Sequence, residues 1–168
     1  LGARKDPDQF AELYQRTIET VMGYVARRCS TPSDVADVVA STYLVALESL
    51  GSFDPEKGRP LPWLLGIAGR LLANQRRRSW RAEAASTRLQ GRRMLDATDF
   101  DRLEERIDAE ALAPRVSDAL ERLAPRHREA ILLTTADGLS TADAAQALGI
   151  HPAAFRVRLH RARKALHQ

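Results

Sequence analysis

From Phe10 to Leu166 apolar residues return at steps of three and four, and proline, glycine and short polar clusters cut that rhythm into separate runs. This spacing lays one stripe along an α-helix, so the chain is expected to be all-α. The first run carries Phe10, Leu13, Tyr14, Thr17, Ile18, Val21 and Val25, and breaks at Cys29–Ser33. The second carries Val35, Val38, Val39, Tyr43, Ala46, Leu47 and Leu50 on one side. Gly51–Pro60 holds two glycines and two prolines and reads as a loop. A third run begins near Pro62, where a proline fits the first helical turn. It holds Trp63, Leu64, Ile67, Ala68, Leu71 and Leu72 and ends in the basic residues Arg76–Arg81.

The pattern then weakens from Ala82 to Ala113. This stretch is basic first (Arg88, Arg92, Arg93) and acidic afterwards (Asp96, Asp99, Asp101, Glu104, Glu105, Asp108, Glu110). Segregated charge of this kind marks a solvated connection, here with some helical tendency. Helical rhythm returns with Val116, Leu120 and Leu123. Pro125 starts a further helix with Ala130–Leu133, which stops at Asp137-Gly138. Ser140 is placed to cap the next short helix, with Asp143 at the return position of a capping box and Gly149 closing it in a tight turn. The last helix starts near Pro152 and aligns Phe155, Leu159, Ala162 and Leu166.

Apolar residues make up 44% of the chain, enough for a core, but aromatics are only 5%, so Leu, Val, Ile and Ala must build it. The one cysteine, Cys29, cannot form an intramolecular disulfide, and the four histidines lack zinc-ligand spacing. No metal or other cofactor is implied. No apolar run reaches the roughly 18–20 residues of a membrane span. The first ten residues are too polar for a signal peptide, which gives the expectation of a cytoplasmic protein without membrane insertion. A net charge of +4 is a weak pointer to polyanions; where the charge lies says more.

It lies on the last helix. Two helices joined by a short glycine turn, the second rich in arginine, form a helix-turn-helix. With the Phe155–Leu166 stripe packed inward, Arg156, Arg158, His160, Arg161, Arg163 and Lys164 remain on the outer arc. Arginine there can bond guanine edges bidentately or hold phosphates. A solvated basic face is the plainer alternative, but the small Ala144 and Ala145 and the Gly149 turn favour DNA.

At this point a resemblance emerges. Leu120–Leu166, with Gly138-Leu139-Ser140 leading in and Phe155–Arg163 as the last helix, resembles region 4 of extracytoplasmic-function (ECF) sigma factors of the sigma-70 family. Phe10–Arg28, Ser33–Pro55 and Leu61–Arg81 resemble, in order, the helices of region 2. The resemblance implies two small helical domains: region 2 over residues 1–81, a linker over 82–113, and region 4 over 114–168. It implies a non-enzymatic subunit that binds the clamp and flap elements of core RNA polymerase and directs promoter-specific initiation. The outer arc of the last helix would then read the double-stranded −35 element. Phe53, Arg59, Trp63, Arg70, Asn74, Arg76, Arg77, Arg78 and Arg81 would engage the melted −10 strand, which calls for stacking surfaces and a cationic groove. Asp34, Asp37, Val38, Tyr43, Leu44, Leu47 and Glu48 would bind the polymerase. Relatives are commonly held by an anti-sigma factor, which makes such a partner a candidate.

The sequence departs from the family at three places: Ala40-Ser41 stands for a Gln-acid pair, Arg70 for a frequent Asn, and Ala153-Ala154 for Gly-Thr. Trp63 also has a purely structural reading, since it lies at helical spacing with Ile67. The competing function is a free-standing helix-turn-helix regulator with an N-terminal ligand-binding or dimerisation domain. The basic run at Arg76–Arg81 argues against it. An all-helical enzyme finds no support, since no nucleophile–base set or phosphate-binding glycine loop is present.

Overall fold

A computed structural model describes residues 7–56, 58–87 and 113–166, with side chains described for residues 8–78 (Ser52 and Lys57 apart) and 118–166. The linker expected at 82–113 lies outside the described residues from 88 onward, as does the side chain of Arg81. Five of the seven α-helices among the described residues begin at a proline. α1 spans Pro7–Ala26, α2 Pro32–Ser49, α3 Pro60–Thr87, α4 Ala113–Arg122, α5 Pro125–Thr135, α6 Thr141–Leu148 and α7 Pro152–Leu166. A 3-10 turn, Leu50–Ser52, extends α2.

Local chemistry sets these ends. Thr31 caps α2: its hydroxyl accepts from the Asp34 amide at 3.1 Å and donates to the Asp34 carboxylate at 2.8 Å, with Pro32 in the first turn. α3 begins at Pro60, two residues before the proline that sequence reasoning favours. It also continues through Thr87, beyond the expected stop at Arg81, because Ala82, Glu83, Ala84 and Ala85 are good helix formers. Arg128 donates to the carbonyls of Leu120 (2.8 Å) and Glu121 (2.6 Å), which fixes the α4–α5 corner.

α1, α2 and α3 pack on one another to form the N-terminal bundle. Val21, Tyr24 and Val25 meet Val38, Tyr43 and Ala46 and the α3 residues Leu64, Leu65, Ile67 and Ala68. Thr17, buried among them, shares a 2.9 Å hydrogen bond with the Tyr43 hydroxyl. In the C-terminal half α7 packs on α5 and α6 over Ala130, Leu133, Ala144, Ala145, Phe155, Leu159 and Ala162. No helix among the described residues is long and apolar enough to cross a membrane.

The two halves also dock, through α3 against α6. Gly66 permits this approach: a β-carbon there would sit 3.0 Å from the carbonyl oxygen of Ala147. A polar clamp closes one side. Arg28, only 4% exposed, bonds the Glu129 carboxylate at 3.1 Å and the fully buried Asp137 carboxylate at 2.8 Å. Its guanidinium lies 3.7 Å above the Tyr24 ring, and Arg27 pairs with Asp137 as well. Burial alone would lower the Arg28 pKa, but Glu129, Tyr24 and Asp137 outweigh it and hold it above its ordinary value. Burial, then Glu129, pushes the Tyr24 hydroxyl well above the usual tyrosine range, so it stays a donor to Glu129.

Candidate nucleic-acid interface

The helix-turn-helix assembles from caps at both ends of α6. Ser140 accepts from the Asp143 amide at 3.1 Å. The Asp143 carboxylate takes the Ser140 hydroxyl at 2.8 Å, a variation on the expected capping box in which side chain meets side chain. At the other end Gly149 adopts φ +63°, and Ile150 N–H reaches back to Ala145 while Gly149 N–H reaches Gln146. This pair of bonds is a Schellman closure and needs glycine at the left-handed position. His151 then starts α7, its ring Nδ1 accepting from the Ala153 amide at 3.2 Å.

α7 is thereby held with Phe155, Leu159 and Ala162 buried. Arg156, His160, Arg161, Arg163 and Lys164 are exposed, and Arg158 is half-buried at the edge. The six basic candidates of this helix thus form one arc, five of them exposed.

The N-terminal candidates are more varied. Phe53 from the loop and Trp63 from α3 form a tilted ring pair at 5.0 Å, each half-buried. Trp63 therefore packs on the core and keeps part of its ring outward, so its two readings coexist. Arg70, Asn74, Arg76, Arg77 and Arg78 are exposed along α3. Arg77 bonds Asn74, and Arg76 donates to the Arg28 carbonyl at 3.4 Å. A cleft of about 450 Å³ separates Arg70, Arg76 and Arg77 from Glu129, Leu148 and Gly149 across the docked halves.

Arg59 has a partner that sequence reasoning missed. Its guanidinium bonds Asp143 of α6 at 2.8 Å, its amide donates to Gln146 at 3.2 Å, and its carbonyl accepts from Gln146 at 3.0 Å. The residues lie more than eighty positions apart, and no local pattern signals the contact.

On α2 the seven candidates split. Asp37, Leu44 and Glu48 line the outer face, and Leu44 is 62% exposed. Leu47 is half-buried. Val38 and Tyr43 are each 6% exposed and belong to the core, with Tyr43 against the rings of Phe10 and Tyr14. Asp34 lies in the first turn of α2, where its amide donates to the Thr31 cap and its carboxylate accepts from Thr31 and from Gln75 of α3. Val38 and Tyr43 therefore support the outer face from beneath, while Asp34 is half-buried at the start of the helix.

Residues 13–82 match the family model of sigma-70 region 2, and residues 114–166 that of sigma-70 region 4. The chain is 30% identical over 154 residues to the RNA polymerase sigma factor CarQ of Myxococcus xanthus, covering 92% of this chain and 84% of that one. It is 30% identical over 159 residues to the ECF RNA polymerase sigma factor SigK of Mycobacterium sp. (strain KMS), covering 94% and 80%. The chain belongs to the ECF RNA polymerase sigma factors. Among solved structures, this sigma factor is similar to CnrH in complex with the cytosolic domain of CnrY. That match has a TM-score of 0.66 at 26% identity and covers 96% of this chain and 87% of the other. Its fold is also that of the sigma factor RpoE of Bartonella quintana in complex with the anti-sigma factor NepR, with a TM-score of 0.68 at 22% identity over 94% of both chains. The region 2 match covers α2 and most of α1 and α3, and the region 4 match covers α4–α7 apart from Ala113.

Proposed function

We propose that this chain binds core RNA polymerase and confers promoter specificity through two cationic surfaces of different chemistry. Region 4 reads a −35 duplex with α7. Region 2 holds the melted −10 strand with the Phe53–Trp63 corner and the α3 arginines. The observation that carries this is the α7 arc: five exposed basic side chains on a helix whose opposite stripe is fully packed. A convex, rigid, cationic helix fits a major groove, and the preceding helix fixes its approach. Arg156, Arg158 and Arg161 are the candidates for bidentate contact with guanine, each worth about 1–3 kcal/mol of discrimination. Arg163 and Lys164, near the helix end, suit phosphates.

Region 2 faces a costlier task, because taking a base out of its stack costs a few kcal/mol. The Phe53–Trp63 pair offers a stacking surface at the loop, and Arg70, Arg76, Arg77, Arg78 and Arg81 offer charge along the backbone path. The half-open ring of Trp63 supports a part in stacking. For the polymerase we assign the α2 face of Asp37, Leu44 and Glu48, with Leu47 at its edge. An exposed leucine between two carboxylates is a natural protein-contact patch. On promoter DNA the docking of α3 on α6 would open, and the linker of 82–113 would span the two elements, between a region 2 of 1–81 and a region 4 of 114–168. The subunit would act in the cytoplasm without chemistry of its own, the polymerase performing the reaction. An anti-sigma partner, as in the complex of RpoE with NepR, fits the same reading.

Co-purification with core polymerase, followed by sequencing of transcription start sites, tests this. The expected result is a stable complex and starts at a fixed distance from shared −35 and −10 sequences. Tight sequence-specific binding by the chain alone, with no change on adding core polymerase, would replace it with the free-standing regulator.

A further inference from the structure

Val157 is the one large apolar side chain exposed on the outer arc of α7, and basic chemistry does not account for it. It is 51% exposed, among the most exposed large apolar side chains described. At about 100° per residue it stands roughly 200° from both Phe155 and Leu159, so it points away from the packed stripe. Ala153 and Ala154 precede it by a turn, and His160 and Arg161 follow by a turn. The fold gains little from it. It buries no stripe residue, and a β-branched side chain is a poorer helix former than alanine.

We infer that Val157 is a specificity-determining residue that packs against the C5 methyl group of a thymine in the −35 element. The major groove presents a single strongly apolar feature, that methyl, and apolar side chains are its natural contact. Val157 is the sixth residue of α7, in the N-terminal part of a recognition helix that reaches base edges. Ala153 and Ala154 are small enough to let the helix come close. Arg156 and Arg161 flank the valine and seat it on the duplex by their charge. This inference rests on α7 acting as the −35 reader.

The test removes one methyl group at a time. Holoenzyme binding is measured on promoter duplexes in which each −35 thymine is replaced singly by deoxyuridine. The wild type is expected to weaken about four-fold at one position, the size of one buried methyl-scale contact of about 0.8 kcal/mol. Val157→Ala is expected to weaken binding to the thymine duplex by a similar factor and to lose its sensitivity at that position, so the two losses do not add. Helix content, followed by circular dichroism, should be unchanged. Three results overturn the inference: no sensitive thymine while Arg161→Ala still weakens upstream binding, additive losses, or a Val157→Ala defect in core-polymerase affinity with discrimination intact. The last would make this face a protein contact. If Arg158→Ala and Arg161→Ala also leave upstream binding unchanged, the failure lies with α7 as the −35 reader.

Discussion

The two surfaces assigned to DNA differ in what surrounds them. α7 spends its apolar stripe on α5 and α6 and leaves its basic arc in solvent. The region 2 surface is partly occupied by the protein itself. Arg59 is bonded to Asp143, Gln146 brackets the Arg59 backbone, and Arg76 reaches the Arg28 carbonyl. One surface is presented ready for a duplex. The other must exchange internal partners for a strand. The difference follows from the docking of α3 on α6 and from the buried clamp around Arg28, which together make one contiguous core out of two bundles.

Breaking the clamp should have the largest effect. Arg28→Ala leaves Asp137, whose side chain is fully buried, with Arg27 as its remaining cation. Leaving a buried charge with no partner costs about 3–5 kcal/mol, and because Arg27 still faces Asp137 the loss here should fall at or below the lower end of that range. Thermal or urea unfolding should show a loss of that order, and an unchanged midpoint would mean the clamp contributes nothing to holding the halves.

Gly66→Leu should come next. The new side chain must displace the Ala147 backbone, and overpacking of this kind costs about 1–3 kcal/mol. The expected outcome is separation of the halves, seen as a larger radius of gyration in small-angle scattering. Unchanged dimensions would show that other contacts dominate.

Arg59→Ala sits at the small end. The Arg59 side chain is 75% exposed, so its ion pair with Asp143 is screened by solvent and worth about 1 kcal/mol or less. Stability should barely move, while capture of a single-stranded −10 oligonucleotide by the holoenzyme should weaken. Full retention of strand capture would remove Arg59 from that surface. The weakness of the pair is what lets Arg59 change partners.

How much of this was legible in the sequence follows the range of each interaction. The helix stripes, the Ser140 cap and the Gly149 turn are encoded within a few residues, and the structure has them where the pattern places them. Val38 and Tyr43 were legible on the apolar side of α2, and their burial conflicts with their assignment to a polymerase contact, whereas Leu44 lies off that side and is exposed. The burial of Arg28 and the Arg59–Asp143 pair were not legible at all, since their partners lie 84 to 109 residues away. Val157 could have been found. It stands two residues from both Phe155 and Leu159, a spacing that takes an apolar side chain off the buried stripe.

The most direct measurement is permanganate reactivity of unpaired thymines in holoenzyme–promoter complexes, read alongside nuclease protection of the upstream element. Arg158→Ala with Arg161→Ala should lose the upstream footprint. Arg76, Arg77 and Arg78 changed together to Ala should keep that footprint and lose the reactive −10 thymines. If both sets of substitutions abolish the same signal, or if the α3 substitutions leave strand opening intact, the division of labour between α7 and α3 is wrong.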